Sequence, residues 1–307
     1  MIAFVFPGQG SQAVGMGKAL ADQFDICKET FAEADAALNE SLSDLIFNGP
    51  QDKLTLTENT QPAILTMSVA VCRLLAQRGV TPSFVAGHSL GEYSAHVAAG
   101  TLQFADAVRL VRNRGRYMQE AVPVGEGAMA AILGLDEAGV NQACEEASQG
   151  EVVSAANLNG AGQIVIAGTA AAVARASERA KALGAKRAVP LQVSAPFHCA
   201  LMKPAEVRLT PELRAVGASD PRIPVVANVD AEPKRTAAAS IDALIKQIAS
   251  PVRWEDVVRR LASEGVTRYV EVGPGKALSG MIKRIAAGAT IHNVEGPDDL
   301  AAIEDLF

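Results

Sequence analysis

The sequence predicts an α/β fold in which a mostly parallel sheet carries a smaller, antiparallel insertion. Short apolar runs that end at Gly or Pro alternate with longer segments of helical period, which is typical of parallel α/β proteins. Between about residues 123 and 197 the order changes to β-α-β-β-α-β, the ferredoxin-like arrangement. The chain has 307 residues, 49% of them hydrophobic, which is enough for one large domain or two modest ones.

The strands expected in the main sheet share an apolar run that ends at a turn. They lie at residues 2–6, 83–86 and 267–272. Segments of helical period follow these turns or lie close behind them, at 92–99, 104–121 and 278–286. This repetition of strand, turn and helix predicts the parallel sheet.

The insertion is predicted from a different order of elements. Its strands are expected at 128–133, 152–156, 163–167 and 186–193, and its helices at 136–148 and 169–183. Asp136 is a favourable N-cap for the first of these helices, and Asn159-Gly160 is a favourable hairpin turn. We therefore expect a large domain formed by residues 1–122 and 198–307, and a ferredoxin-like small subdomain at 123–197.

Composition excludes several classes of protein. The net charge of −6 disfavours a nucleic-acid binder, and no apolar run is long enough to cross a bilayer. The first residues lack a charged segment followed by a long apolar one, so we expect a cytoplasmic protein without membrane contact. The four cysteines form no C-x-x-C motif and the four histidines show no ligand spacing, so neither a disulfide framework nor a metal site is expected.

The segment Gly87-His88-Ser89-Leu90-Gly91 matches the pattern G-x-S-x-G between a predicted strand and a predicted helix. That pattern places a nucleophilic serine on a cramped strand-to-helix turn, where side chains at the flanking glycines would collide with backbone. Ser89 is therefore the candidate nucleophile. Because the helix start directs backbone N–H groups at the reacting oxygen, the N–H of Leu90 is a candidate oxyanion donor.

A serine nucleophile needs a base, and the chain offers His88, His96, His198 and His292. His88 adjoins the serine on a tight turn, and His96 lies two helical turns further on. His198 follows the last strand of the insertion, whereas His292 lies near the end of the chain, where many α/β-hydrolases carry their histidine. The residues favour His198 over His292 but leave both open. No acidic third member stands out, so a carbonyl or an amide is an alternative partner for the base.

Arg114 lies on the edge of the apolar face of the helix predicted at 104–121. Other arginines of that helix, such as Arg109, fall on the solvent side. A guanidinium that faces a core needs an anion, supplied either by a protein carboxylate or by a ligand. Both remain open from the sequence, and a ligand in this position would carry a free carboxylate.

The turn at residues 7–13 superficially matches the dinucleotide fingerprint G-x-G-x-x-G/A. We reject that interpretation because residues 27–38 have helical period, where the fingerprint requires a second strand ending in an acid. The turn instead offers backbone N–H groups, such as that of Gln9, to a ligand oxygen. The segment at 273–276 lacks the upstream Gly and the Ser or Thr of a phosphate-binding loop, so no nucleotide site is expected.

Five motifs occur in the order found in the malonyl-CoA:acyl carrier protein transacylases, and through them the whole chain resembles that family. They are Phe6-Pro7-Gly8-Gln9-Gly10-Ser11-Gln12, Gly87-His88-Ser89-Leu90-Gly91-Glu92-Tyr93, Arg114-Gly115-Arg116-Tyr117-Met118-Gln119, Phe197-His198-Cys199-Ala200-Leu201-Met202 and Glu271-Val272-Gly273-Pro274. The resemblance extends to the acyltransferase domains of fatty-acid and polyketide synthases. It implies an α/β-hydrolase-like large domain, a ferredoxin-like small one and an active site between them.

The resemblance implies roles for individual residues. It makes Ser89 the nucleophile, His198 the base and Arg114 the clamp for the malonyl carboxylate. In the family a main-chain carbonyl orients the histidine, and that position falls on Gln247, where the local match is weaker.

Further positions are implied around the substrate. The oxyanion donors of the family fall on the backbone N–H groups of Gln9 and Leu90. His88 and Asn157 match positions that line the site. In related domains a Phe before the histidine accompanies malonyl selection, so Phe197 is expected to exclude an α-methyl branch.

The implied activity is a ping-pong transfer of malonyl from malonyl-CoA, through a malonyl-serine, to the phosphopantetheine thiol of a holo acyl carrier protein. This step would supply fatty-acid or polyketide elongation, with no tightly bound cofactor and with a monomeric enzyme. The main alternative is an α/β-hydrolase-type thioesterase or esterase, which shares G-x-S-x-G and usually adds an acid to the triad. A non-catalytic partner of a carrier protein is a third possibility.

Overall fold

The structure is a computed structural model that describes the backbone of residues 1–306 and the side chains of residues 1–303. It confirms the predicted fold class, since a mostly parallel six-stranded sheet is accompanied by a separate antiparallel sheet of four strands. Among the described residues, no helix is long and apolar enough to span a membrane.

Ten strands form the two sheets. Those of the larger sheet are β1 (Ile2–Phe6), β2 (Phe84–Gly87), β7 (Val225–Val226), β8 (Pro233–Lys234), β9 (Arg268–Val272) and β10 (Thr290–Val294). Those of the smaller sheet are β3 (Gly127–Leu133), β4 (Val153–Leu158), β5 (Gln163–Thr169) and β6 (Arg187–Pro190).

The helices cover both faces of the larger sheet and one face of the smaller. The first seven are α1 (Lys18–Gln23), α2 (Asp25–Leu38), α3 (Leu42–Asn48), α4 (Gln51–Thr55), α5 (Thr57–Gln77), α6 (Gly91–Ala98) and α7 (Phe104–Glu120). The others are α8 (Glu137–Ser148), α9 (Ala170–Ala182), α10 (Lys203–Ala215), α11 (Ala237–Gln247), α12 (Trp254–Ser263) and α13 (Ala277–Ile285), with 3-10 helices at Ala200–Met202 and Pro297–Leu306.

The larger sheet has the strand order β10-β9-β1-β2-β7-β8, and all its pairs are parallel except β7 with β8. Along β1 the side chains alternate between two cores. Phe4 and Phe6 pack with the main helical cluster, whereas Ala3 and Val5 pack on the opposite face with Trp254. Because both faces are covered, β1 is apolar at every position, as expected of a central parallel strand. The carboxyl ends of β1, β2, β7 and β9 meet at one edge of the sheet.

The smaller sheet has the order β4-β5-β3-β6, with every pair antiparallel, as the ferredoxin-like prediction requires. Asp136 caps α8 by accepting a hydrogen bond from the N–H of Gly139. The last strand is shorter than the predicted 186–193, because β6 ends at Pro190. The N–H of Leu191 still donates to the carbonyl oxygen of Met129, and no further backbone bond to β3 follows in the described residues. The boundaries proposed for the two domains stay a prediction.

The turn from β2 to α6 packs directly against the backbone of its neighbours. A Cβ atom at Gly91 would lie 2.0 Å from the carbonyl oxygen of Phe6, and a Cβ at Gly87 would lie 1.9 Å from the carbonyl carbon of Gly91. Neither obstacle is a movable side chain. The two glycines of the G-x-S-x-G motif are therefore required by backbone contact.

We expect Gly91→Ala to lower the free energy of unfolding by about 2–3 kcal/mol or more, because the new methyl group overlaps backbone atoms. The control is Gly280→Ala on the exposed face of α13, where an added Cβ meets nothing within 4 Å. That change should stabilise the protein by roughly 0.5–1 kcal/mol, because alanine is the better helix former. Urea unfolding of both variants tests this, and equal stabilities would contradict it.

Candidate active site

A cavity of about 320 Å³ opens where the carboxyl edge of the larger sheet faces the smaller sheet. It is lined from one side by the turns after β1 and β2 and from the other by residues of β3 and β4. We call it the site cavity. Its lining residues are Gln9, Gly10, Gln12, Thr55, Gln61, His88, Ser89, Leu90, Arg114, Met118, Met129, Asn157, Leu191, Gln192, Val193, Phe197 and His198.

Ser89 lies at the sharp turn between β2 and α6, with a φ of 52°. This left-handed conformation is rare for a residue other than glycine and is typical of functional sites. Asn228, two residues beyond β7, braces the turn from behind. Its Oδ1 accepts a hydrogen bond from the N–H of Ser89, and its Nδ2 donates to the carbonyl oxygen of Gly87, both at 2.7 Å.

His198 is in direct contact with the serine. Its Nε2 lies 2.6 Å from Ser89 Oγ, and its Nδ1 lies 3.0 Å from the main-chain oxygen of Gln247. Because a carbonyl oxygen only accepts, Nδ1 carries the proton and Nε2 is free to take one. Burial, reinforced by the charge of Arg114, lowers the pKa of His198 to about 3, which keeps this imidazole neutral.

The other histidines are not in position to act on Ser89. His292 lies on β10 and does not line the site cavity. His96 is fully buried in α6, and His88 directs its Nε2 at Asn159 Oδ1, 2.9 Å away. His198 is thus the histidine that contacts Ser89, and its role as the base stays a prediction.

Arg114 is 1% exposed and bonds to three neutral acceptors. Its guanidinium donates to Gln61 Oε1 at 2.9 Å, to Gln247 Oε1 at 2.9 Å and to Ser89 Oγ at 3.1 Å. Among the described side chains no carboxylate forms an ion pair with it. Of the two partners that the sequence allowed, an ion-paired carboxylate is therefore absent from the described residues, and the buried Glu92 acts on Arg114 only through its charge. Arg114 lines the site cavity.

Gln9 and Leu90 border the cavity on either side of the serine. Gly8 approaches so closely that a Cβ there would lie 2.5 Å from the carbonyl oxygen of His88, which brings the two turns together. Within residues 1–306, neither Gln9 nor Leu90 uses its backbone N–H in a hydrogen bond. Both groups are thus available to an oxygen of a bound molecule.

Eight of the nine predicted site residues line the cavity, including the half-buried Phe197. Asn157 and His88 lie among them. Gln247 is different, since it is fully buried behind the serine and reaches the site through hydrogen bonds.

Three polar residues that hydrogen-bond to Arg114, Gln247 or Ser89 were missed from the sequence: Gln61, Glu92 and Asn228. Glu92 directly follows the G-x-S-x-G motif, and an acid on a helix with no other Asp, Glu, Lys or Arg could have indicated a functional position. Asn228 follows a strand of two residues, too short to show a period. Gln61 lies inside the buried α5, where only its polarity marks it.

The chain matches the family model described as Acyl transferase domain over residues 3–290. It is 53% identical over 305 residues to the malonyl CoA-acyl carrier protein transacylase of Escherichia coli (strain K12), with 99% of each chain covered. The enzyme of the same name from Bacillus subtilis (strain 168) is 54% identical, over 99% of this chain and 97% of the other. The chain belongs to the malonyl CoA-acyl carrier protein transacylase family.

Solved structures agree with this assignment. An acyl carrier protein S-malonyltransferase from Vibrio cholerae is similar with a TM-score of 0.97 and 49% identity, over 99% of both chains. A type II PKS acyl-carrier protein in complex with its malonyl-transacylase contributes a second similar chain, with a TM-score of 0.97, 47% identity and 99% coverage of both. The resemblance drawn from the five motifs is confirmed.

In the part of the chain that the structure describes, no group of three or more His, Cys, Asp or Glu residues could hold a metal ion. No aspartate or glutamate among the described residues bonds to His198, where a hydrolase triad would place one. A main-chain oxygen occupies that position.

The lowered pKa of His198 predicts how Ser89 reacts as pH falls. A base with the ordinary pKa of 6.5 would lose about tenfold of its neutral form between pH 7.5 and 5.5, whereas His198 stays neutral over this range. We expect Ser89 to react with a serine-directed fluorophosphonate at a nearly constant rate between these values. Intact-protein mass against time measures the rate, and Ser89→Ala controls for labelling elsewhere. A half-maximal rate at pH 6.5 or above would contradict the prediction.

Proposed function

We propose that the protein transfers the malonyl group of malonyl-CoA to the phosphopantetheine thiol of a holo acyl carrier protein through a malonyl ester on Ser89. One observation carries this proposal. Ser89 Oγ lies 2.6 Å from the neutral base His198 and 3.1 Å from the buried guanidinium of Arg114, which pairs with no described carboxylate. A serine, a base and an unmatched buried cation together fit an acyl group that ends in a carboxylate.

In the first half-reaction His198 Nε2 takes the hydroxyl proton as Ser89 Oγ attacks the thioester carbonyl carbon. The negative charge that develops on the carbonyl oxygen is met by the N–H groups of Gln9 and Leu90. The C–S bond then breaks, and the thiolate of coenzyme A leaves with the proton from His198. The malonyl ester remains on Ser89.

Arg114 selects and positions the acyl group. Its planar guanidinium matches a carboxylate with two parallel hydrogen bonds, which an acetyl group cannot accept. Its bond to Ser89 Oγ is available for exchange with the incoming carboxylate. Substrate binding therefore offsets part of the cost of burying the charge.

In the second half-reaction the carrier's thiol gives its proton to His198 and attacks the ester carbonyl carbon. Ser89 Oγ leaves with that proton, so the enzyme returns to its initial state and malonyl carrier protein is released. Thiol attack must be faster than hydrolysis. A cavity that orients the ester towards the incoming thiol favours the thiol over water.

The remaining lining residues shape the pocket in this proposal. Phe197, next to the base, excludes an α-methyl branch and so disfavours methylmalonyl groups. His88 and Asn157 border the space beside the ester. The malonyl carrier protein supplies elongation in fatty-acid or polyketide synthesis.

We further propose that the protein acts as a monomer in the cytoplasm, with malonyl-CoA as substrate and no tightly bound cofactor. The four cysteines are free and apart from one another, which suits a reducing compartment. The partner that this function requires is the holo form of an acyl carrier protein.

Brief mixing with malonyl-CoA, followed by intact-protein mass measurement, tests the proposal. We expect a malonyl adduct on the wild type and none on Ser89→Ala, because the hydroxyl that forms the ester is gone. Addition of holo carrier protein should move the adduct to the carrier. An adduct that disappears equally fast without the carrier would indicate a thioesterase, and no adduct without release of coenzyme A would indicate a non-catalytic protein.

Arg114→Ala should lower the preference for malonyl-CoA over acetyl-CoA by about tenfold or more, because a charge-assisted bidentate contact contributes at least about 1.5 kcal/mol. The control is Arg109→Ala, which removes an exposed arginine paired with Asp106 on the same helix. Loading rates for the two thioesters, measured on each variant, give the preference. If Arg114→Ala keeps the preference of Arg109→Ala, the guanidinium does not contact the substrate.

A further inference from the structure

Glu92 is a fully buried carboxyl to which the proposed reaction gives no role. It is the second residue of α6 and does not line the site cavity, so it cannot touch a substrate there. Its Oε2 accepts two hydrogen bonds, from the N–H of Asn228 at 3.0 Å and from Gln247 Nε2 at 2.8 Å. Its Oε1 accepts none from the described residues, and His96 Nε2 lies 4.0 Å from it. The charges of Arg114 and Asp230 also act on this carboxyl.

Both donors are attached to the turn that carries the nucleophile. Asn228 bonds to the carbonyl oxygen of Gly87 and to the N–H of Ser89. Gln247 Nε2 donates to the carbonyl oxygen of Ser89 at 2.9 Å, in addition to Glu92. Glu92 Oε2 therefore joins three parts of the chain that are remote in sequence: α6, the loop after β7 and the end of α11.

The carboxylate and the carbonyl oxygen of Ser89 together determine which way the Gln247 amide points. Glu92 Oε2 and the Ser89 carbonyl oxygen are both acceptors, so the side-chain group that faces them must be the Nε2 donor. The other end, Oε1, then faces Arg114 and accepts its Nη2 at 2.9 Å. In the flipped orientation an oxygen would face two acceptors and an amide nitrogen would face a guanidinium, which only donates.

We propose that Glu92 is a positioning residue for malonyl selection. Its Oε2 fixes the Gln247 amide, and Gln247 Oε1 then orients Arg114 towards a carboxylate in the site cavity. This inference rests on the proposed function and concerns the same site.

This role requires a hydrogen-bond acceptor at the distance of Gln247 Nε2, rather than a negative charge. Burial raises the pKa of Glu92 to about 7, against the effect of its bonds to Gln247 and Asn228 and of the charge of Arg114, so the protonated form is accessible near neutrality. A proton on Oε1 would leave Oε2 as the acceptor. Burial also lowers the pKa of His96 to about 3, so the ring that faces Oε1 is neutral and can accept a hydrogen bond.

Two substitutions at position 92 distinguish the loss of the acceptor oxygen from the loss of the negative charge. Glu92→Gln keeps an acceptor oxygen and presents its amide N–H to the neutral ring of His96, whereas Glu92→Ala removes the acceptor. The readout is the ratio of the rates at which Ser89 is loaded from malonyl-CoA and from acetyl-CoA. We expect Glu92→Ala to lower this ratio by about tenfold, and Glu92→Gln to stay within about threefold of the wild type, because only the former removes one of the two acceptors that hold the Gln247 amide nitrogen.

Glu271→Ala is the matched control. Glu271 is equally buried and accepts hydrogen bonds from the N–H groups of Leu278 and Ser279 and from Asn293, away from the cavity. Its loss should destabilise the protein and leave the loading ratio unchanged. The loading rates from malonyl-CoA and acetyl-CoA are measured on the same sample. A smaller folded fraction therefore lowers both rates equally and leaves their ratio unchanged.

An unchanged ratio in Glu92→Ala would overturn the inference and leave Glu92 a structural residue. If the alanine variant does not fold, Glu92→Asp replaces it, since a shorter side chain cannot reach both donors and should show the same loss. A ratio that falls in Glu92→Gln but not in Glu92→Asp would also overturn it, because charge rather than reach would then matter. A wild type that loads malonyl no faster than acetyl would instead refute the proposed function.

Discussion

The burial of the Arg114 guanidinium without a counter-ion among the described residues is the constraint on which the site depends. A buried cation is costly unless its donors are satisfied. Here Gln61 and Gln247 supply neutral oxygens, and the ring of Tyr93 lies 5.4 Å from the guanidinium carbon, a cation–π distance. Neutral partners stabilise the side chain without cancelling its charge. An anionic substrate is therefore the strongest partner that Arg114 can gain.

The positive charge of Arg114 also affects the pKa of His198. Arg114 lies within hydrogen-bond distance of Ser89 Oγ, so it disfavours a second cation at His198 and helps lower the pKa of that imidazole. An aspartate at Nδ1 of the base would oppose this effect and would compete for the guanidinium. The main-chain oxygen of Gln247 fixes the tautomer of His198 without adding charge. The absence of an acid from the described partners of His198 thus follows from the presence of a buried arginine nearby.

The sequence predicted those parts of the fold that local pattern determines. Ile2–Phe6 could be placed because a central parallel strand is apolar throughout, and Ser89 because its motif needs two glycines in backbone contact. Val225–Val226 could not be found, since two residues show no periodicity. The strand that ends at Pro190 was predicted to be longer, because the alternation of apolar residues in the sequence continues beyond it. Gln61 meets the site only through the packing of α5 against α7, which no spacing along one chain records.

Gln247 shows why a site of this kind needs support from outside the cavity. Its main-chain oxygen meets the base and its side-chain oxygen meets the arginine, so one residue sets the geometry of both. The main-chain oxygen is fixed by the end of α11, but a side-chain amide has two orientations of similar shape. An acceptor behind it removes that ambiguity, and a carboxyl group does so in either protonation state. The buried Glu92 supplies such an acceptor through Oε2, which Gln247 Nε2 meets at 2.8 Å.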